Sequence, residues 1–239
     1  MEIQQGMVEF AANGGQASGY LARPAGEGRW RGVVVVQEWW GLEEHIKEVA
    51  RRFAAEGFVA LAPDLYHGRI ATEPDEARKL RMLLEEQTAL AELRGAVDYL
   101  RALPEVTGVG IVGFCMGGWL AFLAATRIPS LAAAVVFYGR APEPSDLANL
   151  RVPVLALYAE DDPAITPHVP QVSATLAAAG IPFTYHIYPG TKHAFFNDTR
   201  PTTYHPAAAA DAWRWTLRFF RQHIPDAGEH GAGRGSQAG

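Results

Sequence analysis

The chain has 239 residues, 49% of them hydrophobic, with 21 basic and 26 acidic side chains and a net charge of −5. That is enough apolar material for a real core, and no block of Lys or Arg offers a footprint for nucleic acid. The apolar runs are too short to span a bilayer, and the first ten residues carry neither a basic nor an apolar leader region, so neither a membrane span nor a signal peptide is expected. The single cysteine excludes an internal disulfide and fits a reducing cytoplasm. The expected organisation is one domain over 1–224, a monomer or small homo-oligomer, followed by a disordered Gly-rich tail over 225–239.

In chain order, NGG (13–15) followed by SGYLARP predicts an antiparallel hairpin or edge strand. RGVVVVQ (31–37) reads as a strand covered on both faces. From Glu43 to Glu56 the apolar positions Ile46, Val49, Ala50, Phe53 and Ala54 form one helical stripe, closed by Gly57. A strand at GFVALAP (57–63) precedes two helices across 74–103. The strand GVGIVGF (108–114) leads through Cys115 into another helix. Strands follow at LAAAVVFY (131–138), VPVLALY (152–158) and FTYHIYP (183–189), with a helix at 168–179. A last helix at 206–222 carries Trp213, Leu217 and Phe220 on one face. This alternation predicts a doubly wound, mostly parallel α/β sheet with helices on both faces.

In such sheets sites form beyond the carboxyl ends of the strands. Cys115 stands there, framed as G-x-C-x-G, the strand–turn–helix elbow that presents a nucleophile on a strained backbone. The following helix aims its N-terminus at the sulfur and favours the thiolate. A buried structural cysteine in a tight turn is the competing reading, so partners decide. The next strand end offers Glu160, Asp161 and Asp162, and the one after it offers His193. The chain order nucleophile, acid, histidine is the one an elbow requires. His186 lies inside its strand and is a weaker base, while His67, His168 and His205 read as structural.

Taken in order, QEWWG (37–41), PDLY (63–66), GFCMGG (113–118), LYAEDDPAIT (157–166) and GTKHAFFN (190–197) resemble the dienelactone hydrolase family of α/β-hydrolases, over residues 8 to 222. The resemblance implies an α/β-hydrolase fold and a triad of Cys115, Asp162 and His193. It favours Asp162 over Asp161 because Asp162 stands three residues before Ile165, although Thr166 replaces the proline usual in that turn. It also implies that Glu38 contacts the resting thiol and takes part in its activation. The backbone N–H groups of Trp39 and Met116 would form the oxyanion hole.

The family binds a substrate carboxylate with arginines, one of them four residues after the catalytic histidine, and Asn197 occupies that position here. Arg69, Arg78 and Arg81 are the alternatives, each equally readable as a solvated helix-face charge. Trp39, Trp40 and Phe195 suggest an apolar, aromatic-accepting pocket. No zinc-spaced Cys/His cluster and no phosphate- or dinucleotide-binding glycine motif occurs, so neither metal nor cofactor is expected. The resulting expectation is a cysteine-dependent hydrolase of small carboxylic esters or lactones, working through a thioester. The alternatives are a thioester, peptide or phosphotriester hydrolase on the same fold, and a catalytically dead domain that binds a small molecule.

Overall fold

A computed structural model describes residues 1–226; residues 227–239, most of the expected tail, lie outside the described residues. The first two tail positions are anchored: the Thr107 hydroxyl donates to the Pro225 carbonyl at 2.7 Å, and Arg31 pairs with Asp226 at 3.2 Å.

The chain opens with a hairpin of β1 (Ile3–Ala12) and β2 (Gly15–Pro24), turning at Asn13 and Gly14, both in the left-handed region. β3 (Trp30–Val36) is the valine run, and Val33 to Val36 are wholly buried because helices cover both faces of the sheet there. α1 (Glu44–Ala55) buries the predicted stripe, with Glu44 in its first turn and Arg52 in its last, each sign complementing the helix dipole. β4 (Phe58–Pro63), α2 (Pro74–Leu83), α3 (Glu86–Ala102), β5 (Val106–Phe114) and α4 (Met116–Arg127) follow. β6 is Ala134–Phe137 and leads into a short helix, α5 (Pro144–Leu147), which the sequence reading did not anticipate. β7 (Val154–Asp161), α6 (Val169–Ala178), β8 (Phe183–Lys192) and α7 (Pro206–His223) complete the fold.

All eight strands join one sheet in the order β1-β2-β4-β3-β5-β6-β7-β8. β1, β2 and β4 pair antiparallel, and the pairs from β4–β3 across to β7–β8 are parallel. One core layer packs α2, α3, α4 and α6 on one face through Leu80, Leu93, Leu120 and Leu176. The other packs α1 and α7 through Ile46, Phe53, Leu217 and Phe220. With both faces covered, the carboxyl ends of the parallel strands are the exposed rim on which a site can form. No helix among the described residues is long and apolar enough to cross a membrane.

Candidate active site

Cys115 is the hinge between β5 and α4, with φ 55° and ψ −115°, a conformation that costs a non-glycine residue free energy. Its amide donates to the Phe137 carbonyl at 3.0 Å, which ties the strained residue to the neighbouring strand. The glycine frame has a steric cause. A Cβ on Gly113 would lie 1.9 Å from the Gly117 carbonyl oxygen, and one on Gly117 would lie 2.4 Å from the carbonyl oxygens of Val36 and Gln37. Strand β3, strand β5 and helix α4 therefore meet at backbone distance, and the thiol is lifted onto the rim.

His193 follows β8 directly, because that strand runs three residues beyond the expected 183–189. Its Nδ1 lies 2.6 Å from Asp162 Oδ2 at the end of β7, which leaves Nε2 to face the thiol. Burial pushes the imidazole towards neutrality, but hydrogen bonds to Asp162 and Cys115, with the charges of both, overcome this and push its pKa up to about 10. Asp162 is buried, whereas Asp161 beside it is exposed. The Asp162 carbonyl accepts from the amides of Ile165 at 3.1 Å and Thr166 at 3.0 Å, so the turn closes without the usual proline. The Thr166 hydroxyl adds a bond to the Ala159 carbonyl at 2.6 Å. His186 stays inside β8, its ring 4.3 Å from that of Trp215.

The amides of Trp39 and Met116 donate to no other group among the described residues. Met116 is the first residue of α4, where an amide has no partner within the helix. The Tyr66 hydroxyl donates to Met116 Sδ at 3.4 Å. Trp39 and Trp40 pack edge to face at 5.2 Å, and the Arg200 guanidinium lies 3.9 Å over Trp40.

Glu38, at the end of the valine strand, is 1% exposed and held by two donors: the Tyr138 hydroxyl at 3.2 Å and Asn197 Nδ2 at 2.8 Å. The Cys115 thiol hydrogen-bonds to His193. The Thr199 amide and hydroxyl both donate to Asn197 Oδ1, at 3.0 and 2.7 Å, and so orient its NH2 group towards Glu38. Glu43 enters the same cluster, 3.7 Å from Arg200, with one carboxyl oxygen buried and unpartnered. Burial and the charge of Glu38 push the Glu43 pKa up to about 7, against the opposing Arg200 charge and an Asn197 hydrogen bond. Burial and the same Glu38 charge raise the Tyr138 pKa well above its ordinary value, so the phenol remains a donor.

Two expected substrate contacts are corrected. Phe195 and Asn197 are fully buried: Phe195 packs on Tyr138 and Tyr188, and Asn197 holds Glu38. Arg78 pairs with Asp75 at 2.6 Å on the exposed face of α2, and Arg69 is exposed in the loop after β4. The Arg69 carbonyl lies against Gly41 beside the two tryptophans, and the Arg81 guanidinium lies 4.8 Å over Trp119 with its charge acting on the Tyr66 hydroxyl. Tyr138 and Glu43 were missed as site residues. Tyr138 could have been found, since it ends a predicted strand at the rim, as Glu38 does.

A strained thiol at a helix N-terminus and a histidine held by an acid one strand away, on an eight-stranded mostly parallel sheet, define an α/β-hydrolase. Residues 17–224 match the model of the dienelactone hydrolase family, and the chain belongs to that family. It is 39% identical over 230 residues to Protein usf of Aquifex pyrophilus, a match spanning 91% of this chain and 98% of that protein. The crystal structure of a "Putative Dienelactone Hydrolase" from Klebsiella pneumoniae subsp. pneumoniae MGH 78578 superposes with a TM-score of 0.86 at 32% identity. That superposition covers 93% of this chain and 100% of the other. A further solved structure, "m3DLH", is 28% identical with a TM-score of 0.85, over 93% of this chain and 99% of its own. The chain is thus a hydrolase of the class that acts on esters and lactones.

Proposed function

We propose that the protein hydrolyses small carboxylic esters and lactones with Cys115 as nucleophile, through a thioester. One observation carries this reading: the only cysteine of the chain sits at φ 55° against a histidine whose other nitrogen lies 2.6 Å from a buried aspartate. With His193 held as imidazolium beside Asp162, the Cys115 sulfur attacks the carbonyl carbon as thiolate. The oxyanion takes the amide hydrogens of Trp39 and Met116, and Asp162 stabilises the imidazolium. On collapse the C–O bond breaks and the leaving alkoxide receives the proton from His193. His193 then removes a proton from water, which attacks the thioester and returns the sulfur as thiolate. Glu38, held by Tyr138 and Asn197, places negative charge behind this site and favours uncharged substrates.

The test is intact-protein mass spectrometry after rapid quench with p-nitrophenyl acetate. An acetyl adduct on the peptide containing Cys115, absent after iodoacetamide treatment, is expected. Steady ester turnover by fully alkylated protein would overturn the proposal, and cleavage of thioesters, amides or phosphotriesters in preference to oxygen esters would replace it with one of its rivals.

A further inference from the structure

A cavity of about 450 Å³ opens at the carboxyl ends of β6 and β7, between the loop after β6 and helix α6. This is within the size range of small-molecule sites, roughly 300–1,000 Å³. A cavity of similar size near Trp30 and Glu105 lies at the opposite, amino-terminal end of β3 and β5, away from the chemistry. Pro142, Leu147, Ile165, Val169 and Val172 give the rim cavity apolar walls. Tyr158, a core residue only 1% exposed, also lines it. Burial raises its pKa, so the phenol stays protonated and can donate a hydrogen bond.

Both walls of the cavity come from loops that also carry residues touching the catalytic groups. Ile165 belongs to the turn whose amides bind the Asp162 carbonyl. On the other side, Arg140 stands two residues after Tyr138, whose ring is 5.0 Å from that of His193, and its guanidinium lies 4.6 Å over Trp119 of the nucleophile helix. Charge at the rim is mixed, since Arg140, Glu143 and His168 all line it, so the cavity does not select an anion.

We propose that this cavity is the substrate subsite that takes the alkyl chain or aryl ring on the acyl side of an uncharged ester, with Tyr158 donating to an oxygen carried by that group. The inference rests on the ester-hydrolase reading of Cys115, and it names the substrates that reading leaves open. Each methylene buried raises kcat/KM roughly four-fold.

The experiment has a kinetic and a binding arm. In the first, ethyl acetate, hexanoate and phenoxyacetate are compared; hexanoate is expected to exceed acetate at least ~20-fold in kcat/KM. Val172→Trp, and Ala164→Trp at the exposed mouth should the first variant fold poorly, lower the hexanoate-to-acetate ratio at least ~10-fold by filling the space. Tyr158→Phe lowers the phenoxyacetate-to-hexanoate ratio about 5-fold. In the second arm, hexanamide and acetamide are titrated calorimetrically into Cys115→Ala, where hexanamide binds more tightly and Ala164→Trp removes the difference. Hexanamide selectivity without hydrolysis of any ester keeps the subsite and discards the ester-hydrolase reading. Ester hydrolysis with no chain-length preference, or with ratios unmoved by both tryptophan variants, overturns the subsite.

Discussion

Asn197 Nδ2 donates to Glu38 Oε2 at 2.8 Å, joining the loop after β8 to the loop after β3 at a point where both residues are shut off from solvent. A buried carboxylate needs every donor it has. Asn197→Ala leaves Glu38 with the Tyr138 hydroxyl alone, at a cost of about 1–3 kcal/mol, and should lower Tm by roughly 3–10 °C. The same geometry revises an expectation raised by the family resemblance. An arginine at 197 would have no open pocket to project into, so Asn197→Arg should destabilise the fold and leave turnover of a carboxylated lactone unimproved. Scanning calorimetry, with kcat/KM for cis-dienelactone, checks both statements; a stable Asn197→Arg variant with a ten-fold gain would show that the loop opens readily.

The elbow predicts a steep hierarchy at position 115. Cys115→Ala should abolish ester hydrolysis, and Cys115→Ser should retain only weak activity, because a hydroxyl gives up its proton far less readily than a thiol. The strained φ of 55° is kept in both, so circular dichroism and Tm should change little while turnover falls. Near-normal turnover by the alanine variant removes Cys115 from the mechanism.

Asp161 and Asp162 are adjacent, but only Asp162 lies on His193, at 2.6 Å. Asp162→Asn should lower kcat by at least ~100-fold, since an amide in that place favours the wrong imidazole tautomer. Asp161→Asn, on an exposed side chain, should change kcat less than two-fold. The reverse ranking would shift the triad by one residue.

How far the sequence disclosed this arrangement depends on whether a feature is local. Elements with strong periodicity, such as the stripe of α1 and the valines of β3, are legible because the pattern itself is what packs. Cys115 and His193 are legible because the elbow and a strand end place them on one rim, whereas strand ends leave Glu160, Asp161 and Asp162 open and the family resemblance is what singles out Asp162. Asn197 was misread because its position relative to a histidine in sequence says nothing of the direction Thr199 gives its amide. Glu43 and Arg200 meet across 157 positions with a separation of 3.7 Å, and nothing in either segment announces the other. Helix α5 is a single turn opened by a proline, too short for any period to register.

The Glu43–Arg200 pair also makes stability depend on pH. Burial and the Glu38 charge raise the Glu43 pKa from 4.5 to about 7, so the folded protein binds a proton there that the unfolded chain releases. A raised pKa contributes stability that is fully present below the unfolded value and is lost as pH rises through the folded one. Between pH 4.5 and 7 the Glu43 contribution therefore declines with rising pH. His193, raised from 6.5 to about 10, acts in the same direction but in a higher window, losing its contribution between those two values. The two are separable by substitution. Glu43→Gln keeps the size of the side chain, removes the titration, and should flatten Tm against pH below pH 7 while leaving the decline above pH 7 in place. His193→Gln should do the converse. Thermal melts of both variants from pH 4.5 to 10, at fixed ionic strength, test the assignment. A Glu43→Gln profile parallel to wild type below pH 7 would mean that this carboxyl releases its proton at an ordinary pH and that Arg200 outweighs Glu38 in setting its charge.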